Sequence, residues 1–532
     1  MKRLLLLTLS AGAAIWSAAC GGGSIVTPPP PVGKYRVANL NGQYAFVTNG
    51  ESFTGVNAVP LARTGSFTAD GMGNITAGIE DVNAAGAPIL ALQISGGSYT
   101  VSADGRGTLT LNVMSGGVAS PINFGITLTS GNDGLMIDET STSTQSSTGS
   151  GNFIKQNSAS FAIASIAGPY VFDFSGQDGA SPSGPESIVG EFTVSGGPIT
   201  SGVEDVNDNG QFTTAAAVVG NFAADAVNQS TLTGFGRGIA QLNGVQYVFY
   251  IVDSTRIRLL NTTGGAMLSG DAVAQSNTAP ANVSSISSSF VFIVAGSSGN
   301  GGITRVGRFT ANGAAVTSVL VDTNNSGQFI KTDTTNNASI SLDAANPGRG
   351  TVTFTDPHFA AAPFNFVFYL SSPTQGVLQE TTTNNGAAVV VADGTIAAQT
   401  GSPFTSGNIS GTYALNWSGL SLQNSGSFSV QDEEDLLSQV TVSSLSLSGA
   451  ADIFQFQDGV PVFDLVTSGS IGISGDGTSS TASNRNTMSV KLVKSNSTTV
   501  NFVVYFVSPQ LAFFANNQDS HRTVAGVLKL QQ

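Results

Sequence analysis

One cysteine, two histidines and few charges set the first limits on this chain. Cys20 is the only cysteine, so no disulfide can form within one molecule. Thiol catalysis and cysteine-based zinc sites are excluded with it. His358 and His521 stand far apart and share no motif. No G-x-S-x-G elbow, phosphate-binding loop or H-E-x-x-H occurs, so an enzyme is not expected. Paired carboxylates for a hydrolase stay as an alternative, because their spacing exists only in three dimensions. Charged residues make up 10% of the chain, with a net charge of −14. A nucleic-acid partner needs a clustered basic face, which this composition does not supply. No segment sustains a 3.6-residue apolar stripe, and past the first residues no hydrophobic run reaches spanning length.

What is present is repetition. GSFTADGMGNITAGIEDVNAAG (65–86) returns as GEFTVSGGPITSGVEDVNDNG (190–210) and as GRFTANGAAVTSVLVDTNNSG (307–327). Opening strands carry Tyr44, Tyr170, Phe290 and Tyr413, which lie 126, 120 and 123 residues apart. Closing strands share a Gly and a Gln five apart: Gly151 and Gln156, Gly270 and Gln275, Gly394 and Gln399, Gly526 and Gln531. A repeat of this length is a folding unit. The 65 Gly, the 31 Phe and the alternation of Ile75, Ala77 and Ile79 with Thr76, Gly78 and Glu80 describe strands joined by tight turns.

The expected fold is therefore all-β, with four tandem antiparallel β units of about 115–125 residues, each an up-and-down meander closed into a barrel. Immunoglobulin-like sandwiches are the alternative. Successive hairpin signals such as Asp70-Gly71 and Asp104-Gly105 favour the meander, and closure removes exposed edges. The units are placed at 39–157, 163–277, 286–400 and 408–532, after an export signal at 1–20 and a Gly/Pro tether at 21–38. In pattern alone they resemble small lipocalin-like or avidin-like barrels.

Met1 to Arg3 are positive at the chain start, Leu4 to Trp16 are apolar, and Ser17, Ala18 and Ala19 are small before Cys20. This segment resembles a bacterial lipoprotein signal, in which the cysteine becomes lipidated. The resemblance implies lipidation at Cys20, a membrane partner through that lipid, and the cell envelope as the address. The lack of Asp after the cysteine implies the outer membrane. Ser17 stands where the family has Leu, so plain secretion after cleavage near Ala19 is kept as the alternative.

Within the units, D-x-N-x-x-G recurs at Asp81, Asp205 and Asp322. Asp205, Asn207 and Asn209 match the first half of a calcium loop, but the twelfth position is Ala216, so a turn is preferred to a metal and no cofactor is expected. Gly-Arg-Gly recurs around Arg106, Arg237 and Arg349, at a hairpin or paired with an acidic residue of a neighbouring strand. The fourth unit shows neither motif, and its Asp432-Glu433-Glu434-Asp435 reads as a solvated loop following the strand of Phe428. The aromatic strands Tyr247 to Tyr250, Phe364 to Tyr369 and Phe502 to Phe506 read as core. The expected role is structural, adhesive or surface-binding, with a polysaccharide or a protein as partner. The alternative is a carrier of small apolar or sugar ligands inside the barrels, which Phe67, Phe192, Phe309 and Phe428 would oppose by filling them.

Overall fold

The computed structural model describes residues 34–532 apart from 55–56, 142–145, 181–182, 277–281, 335–337, 355–362, 383–388, 426–427, 456–459, 474–484 and 494–497. At 54, 57, 332–334, 422–425 and 428–432 it describes the backbone only. Cys20, the tether through 33 and His358 lie outside the described residues.

Alternation with period two makes the first unit a closed eight-stranded meander. Its strands are β1 (Asn41–Thr54), β2 (Asn57–Asp70), β3 (Asn74–Ala84), β4 (Ala87–Tyr99), β5 (Arg106–Ser115), β6 (Val118–Leu128), β7 (Asp133–Ser141) and β8 (Ser146–Lys155). Each pairs antiparallel with the next, and β8 returns to β1 with Phe153 opposite Phe46. The fourth unit, from Gly411–Ser425 to Arg522–Leu530, closes in the same way. In units 2 and 3 the fourth strand is broken, into Gln211–Ala217 with Gly220–Ala224, and into Gln328–Thr334 with Ala338–Leu342. A bridge between Pro198 and Asn221, and the pair Ala315 with Ser339, draw these two sheets into barrels as well. The fold is all-β with four barrel-like units, and the sandwich alternative is not adopted.

Each barrel is filled. Tyr44, Phe46, Phe67, Phe124 and Phe153 pack in the first, Tyr170, Phe172, Phe192, Phe222 and Phe249 in the second, and Phe290, Phe292, Phe309, Phe354 and Phe366 in the third. Trp417, Phe502 and Phe514 anchor the fourth. A glycine opposite an inward Phe makes room for its ring: Phe46 faces Gly65, Phe172 faces Gly190 and Phe292 faces Gly307. These apolar interiors are the reverse of a membrane-spanning barrel, whose interior is polar. Among the described residues no helix is long and apolar enough to cross a membrane.

Register also corrects one alignment. Phe67, Phe192 and Phe309 stand opposite Tyr44, Tyr170 and Phe290, but Tyr413 faces Val440, not Phe428. Asp432 to Asp435 therefore lie inside the strand Phe428–Ser443 and are no loop, and Glu434 and Asp435 are fully buried. The expectation of a solvated loop failed because the partners come from distant strands. Glu434 accepts from Trp417 Nε1 at 3.1 Å, Arg522 Nε at 3.0 Å and Gln455, while Asp435 accepts from Thr148 of unit 1 at 2.6 Å.

Candidate functional site

The repeated motifs build the contacts between units. In D-x-N-x-x-G the last two residues have positive φ (Ala85 48° and Gly86 79°, Asn209 47° and Gly210 83°, Ser326 50° and Gly327 83°), which makes the expected tight hairpin. The Asp itself lies before the turn and points outward. Asp81 accepts Arg237 Nε and Nη2 of unit 2, both at 2.8 Å, and the Tyr250 hydroxyl at 2.5 Å. Asp205 does the same with Arg349 and Tyr369 of unit 3, at 2.8, 2.8 and 2.5 Å. Asp322 accepts from Arg485 at 2.8 Å and from Tyr505 at 2.5 Å in unit 4. Arg485 is thus the fourth unit's counterpart of the Gly-Arg-Gly arginine, hidden in the sequence because Asn484 and Asn486 replace both glycines.

The three residues that match half of a calcium loop all have protein roles here. Asp205 is committed to a guanidinium, which repels a cation. Asn207 Nδ2 donates to the carbonyls of Glu380 and Val390 in unit 3, and Asn209 shapes the turn. Asn83 and Asn324 make the equivalent bonds to units 2 and 4. Among the described residues no group of three or more His, Cys, Asp and Glu is placed to hold a metal.

The aromatic strands split by alternation. Tyr247 and Phe249 fill a barrel, whereas Tyr250, Tyr369 and Tyr505 face the neighbouring unit. Burial pushes the Tyr250 and Tyr505 phenols well above their ordinary range, and the adjacent Asp81 and Asp322 add to it. Burial pulls the Arg237 guanidinium down, but Asp81 more than restores it, so it ends above its ordinary value.

The shared closing Gln is the fourth component, and its role was not foreseen. Gln156 Nε2 donates to Phe235 and Ile251 carbonyls of unit 2, Gln275 to Pro347 and Leu370 of unit 3, and Gln399 to Phe506 of unit 4. Gln531 donates to Asp104 and Leu128 carbonyls of unit 1, at 2.9 and 2.7 Å. The last contact closes the series: the four barrels form a ring, 1 to 2 to 3 to 4 and back to 1.

The first strands each carry a glycine six residues after the opening aromatic: Gly50, Gly176, Gly296 and Gly419. A Cβ there would lie 1.8–2.2 Å from a carbonyl oxygen of the unit's last strand. Around the axis, all four units line a cavity of about 430 Å³. Its walls include Glu51, Glu186, Asp393 and Glu433 and, among the described residues, no Lys, Arg or His. Burial raises Asp393 to about 6 and Glu186 to about 7, and Glu433 is raised by burial with Asp435 and Glu51 beside it. Asp173 of unit 2 is raised well above the usual range by burial and by Asp393 of unit 3. Protein surrounds these carboxyls, so they keep their protons to higher pH than ordinary carboxyls do. His521 lies at a turn beside Asp519, away from these groups' motifs.

No family model matches the chain, and no curated protein does. Solved structures similar to it include a transferrin binding protein B mutant from Haemophilus parasuis Hp5, at 11% identity over 75% of this chain and 82% of that one, with a TM-score of 0.19. Another is isotype 1 transferrin binding protein B from serogroup B Neisseria meningitidis, at 9% identity over 75% and 85%, with a TM-score of 0.22. At TM-scores this low neither likeness bears on function.

Proposed function

We propose that the chain is a cell-envelope lipoprotein, held by a lipid on Cys20, whose ring of four barrels is a non-catalytic binding scaffold for a surface polysaccharide or protein. The observation that carries this reading is the filled interior of every barrel combined with repeated locks between them. Aromatic cores leave no room for a carried ligand, so a ligand meets the outer faces, the loops or the axial cavity. Locked neighbours hold those surfaces in fixed relation, which lets several weak contacts act together. The Gly/Pro stretch at 21–38 supplies a tether between lipid and ring.

The test compares the full chain with Cys20→Ser in envelope fractions, then measures binding of the purified soluble form to surface polysaccharide and to envelope proteins. The expected result is release of the variant from the membrane and saturable binding by both forms. Turnover of a glycan that Asp393→Asn or Glu433→Gln abolishes, with binding retained, would replace this reading with the hydrolase alternative.

A further inference from the structure

The four contacts of the ring are not equivalent, and the odd one joins units 4 and 1. The other three each have a shared apolar cluster: Ala45, Ala62 and Ile79 with Val248 and Leu260; Val189 and Val203 with Val367; Val291 and Val306 with Val503 and Phe513. Among the described residues no such cluster spans the contact of units 4 and 1. Register identifies Asp452 as the counterpart of Asp81, Leu437 facing it as Thr64 faces Asp81. Its arginine, Arg106, lies 4.0 Å from Asp452 and bonds instead to Asp464 at 2.7 Å and Asp104 at 3.0 Å. The tyrosine is absent. Arg106 faces Thr127 where Arg237 faces Tyr250 and Arg349 faces Tyr369, and the buried Thr127 hydroxyl has no partner.

Glu139 is the second departure. It occupies the position of Thr262, Thr381 and Asn517, one past the residue paired with Phe124, Tyr247, Phe366 and Phe502. Its side chain is buried, points at unit 4, and leaves Oε1 without a donor. It faces Asp138 on its own strand and Asp452 and Asp464 across the contact. Nearby, Asp435 meets Thr148 and has Asp138 and Glu434 as charged neighbours. The cations in reach are already engaged: Arg63 with Glu80 and Asp138, Arg106 with Asp104 and Asp464, Arg522 with Glu434, and Lys529 with Asp133.

We propose that the contact between units 4 and 1 is a carboxyl-governed seam at which the ring opens as pH rises, while the three chain-linked contacts stay shut. With their protons on, Glu139, Asp435 and Asp452 are neutral and the seam is tolerated. Burial raises all three above the ordinary carboxylate range, Asp435 to about 7; like-charged neighbours add to it, while Arg106 and the Asp464 N–H oppose it at Asp452 and the Thr148 and Ser418 hydroxyls at Asp435. A carboxyl raised in the closed state favours closure at acid pH, and that preference is lost as pH rises through the raised value. Ionisation then places three like charges in a contact that, among the described residues, has no spare cation. Opening exposes the axial cavity along the side lined by Glu51, Ser418 and Glu433.

The test uses the whole chain with Cys20→Ser, which removes the native thiol, and spin labels at exposed positions. Val118→Cys with Val460→Cys spans the seam, and Val118→Cys with Val219→Cys spans units 1 and 2. Across the seam the distance distribution is expected to lengthen and broaden between about pH 5 and about pH 8, while the control pair stays fixed. Thr127→Tyr with Glu139→Thr restores the residues of the other contacts and is expected to keep the seam closed at the higher pH. Circular dichroism checks that each variant is folded, and the unsubstituted seam can be followed in parallel by small-angle scattering. A seam distance independent of pH, or equal lengthening of both pairs, overturns the proposal.

Discussion

At the scale of single residues, each chain-linked contact of the ring centres on a buried carboxylate paired with an arginine and a tyrosine. Asp81 is fully buried, and its two oxygens take four donors: Arg237 twice, Tyr250, and the backbone N–H of Ala91. That N–H belongs to a bulged residue at φ 56°, so the same carboxylate fixes the fourth strand of its own barrel and docks the next unit. Arg237→Ala leaves Asp81 and Asp225 without their counter-ion, and is expected to cost about 3–5 kcal/mol. Tyr250→Phe removes one hydrogen bond to a charged group and should cost about 1.5–3 kcal/mol. Urea unfolding of the two variants, read at fixed pH, separates these values. Equal small losses would mean that the apolar cluster alone holds units 1 and 2 together.

At the scale of strands, Gly-Arg-Gly has a physical reading for each position. The first glycine, at φ 70° in Gly236 and 99° in Gly348, turns the chain into the strand with a backbone that side chains disfavour. The arginine then points out to the preceding unit. The second glycine points in, where a Cβ on Gly238 or Gly350 would lie 2.3 Å from the ring of Phe249 or Phe368. Gly350→Val should therefore destabilise by overpacking, about 1–3 kcal/mol in a thermal or urea melt. An unchanged midpoint would show that Phe368 can move aside. Strand period, turns and inward Phe67, Phe192 and Phe309 were legible in the sequence, because each depends on neighbours within a few positions. The partners of the outward residues were not: Asp81 meets an arginine 156 residues away. Unit 4 was the least legible, since Asp452 lacks the Asn two positions on and Val440 replaces the guiding Phe. The buried Glu434 and Asp435 were misjudged for the same reason, because local sequence shows four like charges and none of the distant donors.

At the scale of the whole molecule, repetition in sequence predicts four units that fold alone, and the ring modifies that expectation. Each barrel has its own aromatic core, so removing one does not remove a neighbour's interior. The outer faces are not independent. Deleting residues 408–532 uncovers Val291, Val306 and Leu320 of unit 3 and strips Asp322 of both Arg485 and Tyr505. Unit 1 loses only the seam, where no apolar cluster is shared among the described residues. Scanning calorimetry of the truncated chain should therefore show unit 3 melting earlier by on the order of 5–10 °C, with units 1 and 2 little changed. If all three remaining units melted together at a lower temperature, the ring would have to be one cooperative body whose seam matters as much as its chain-linked contacts. If none shifted, the outward Asp, Tyr and Arg residues would orient the barrels without stabilising them. The asymmetric outcome follows from the same residues that set the seam apart, Thr127 in place of a tyrosine and Glu139 in place of a neutral side chain.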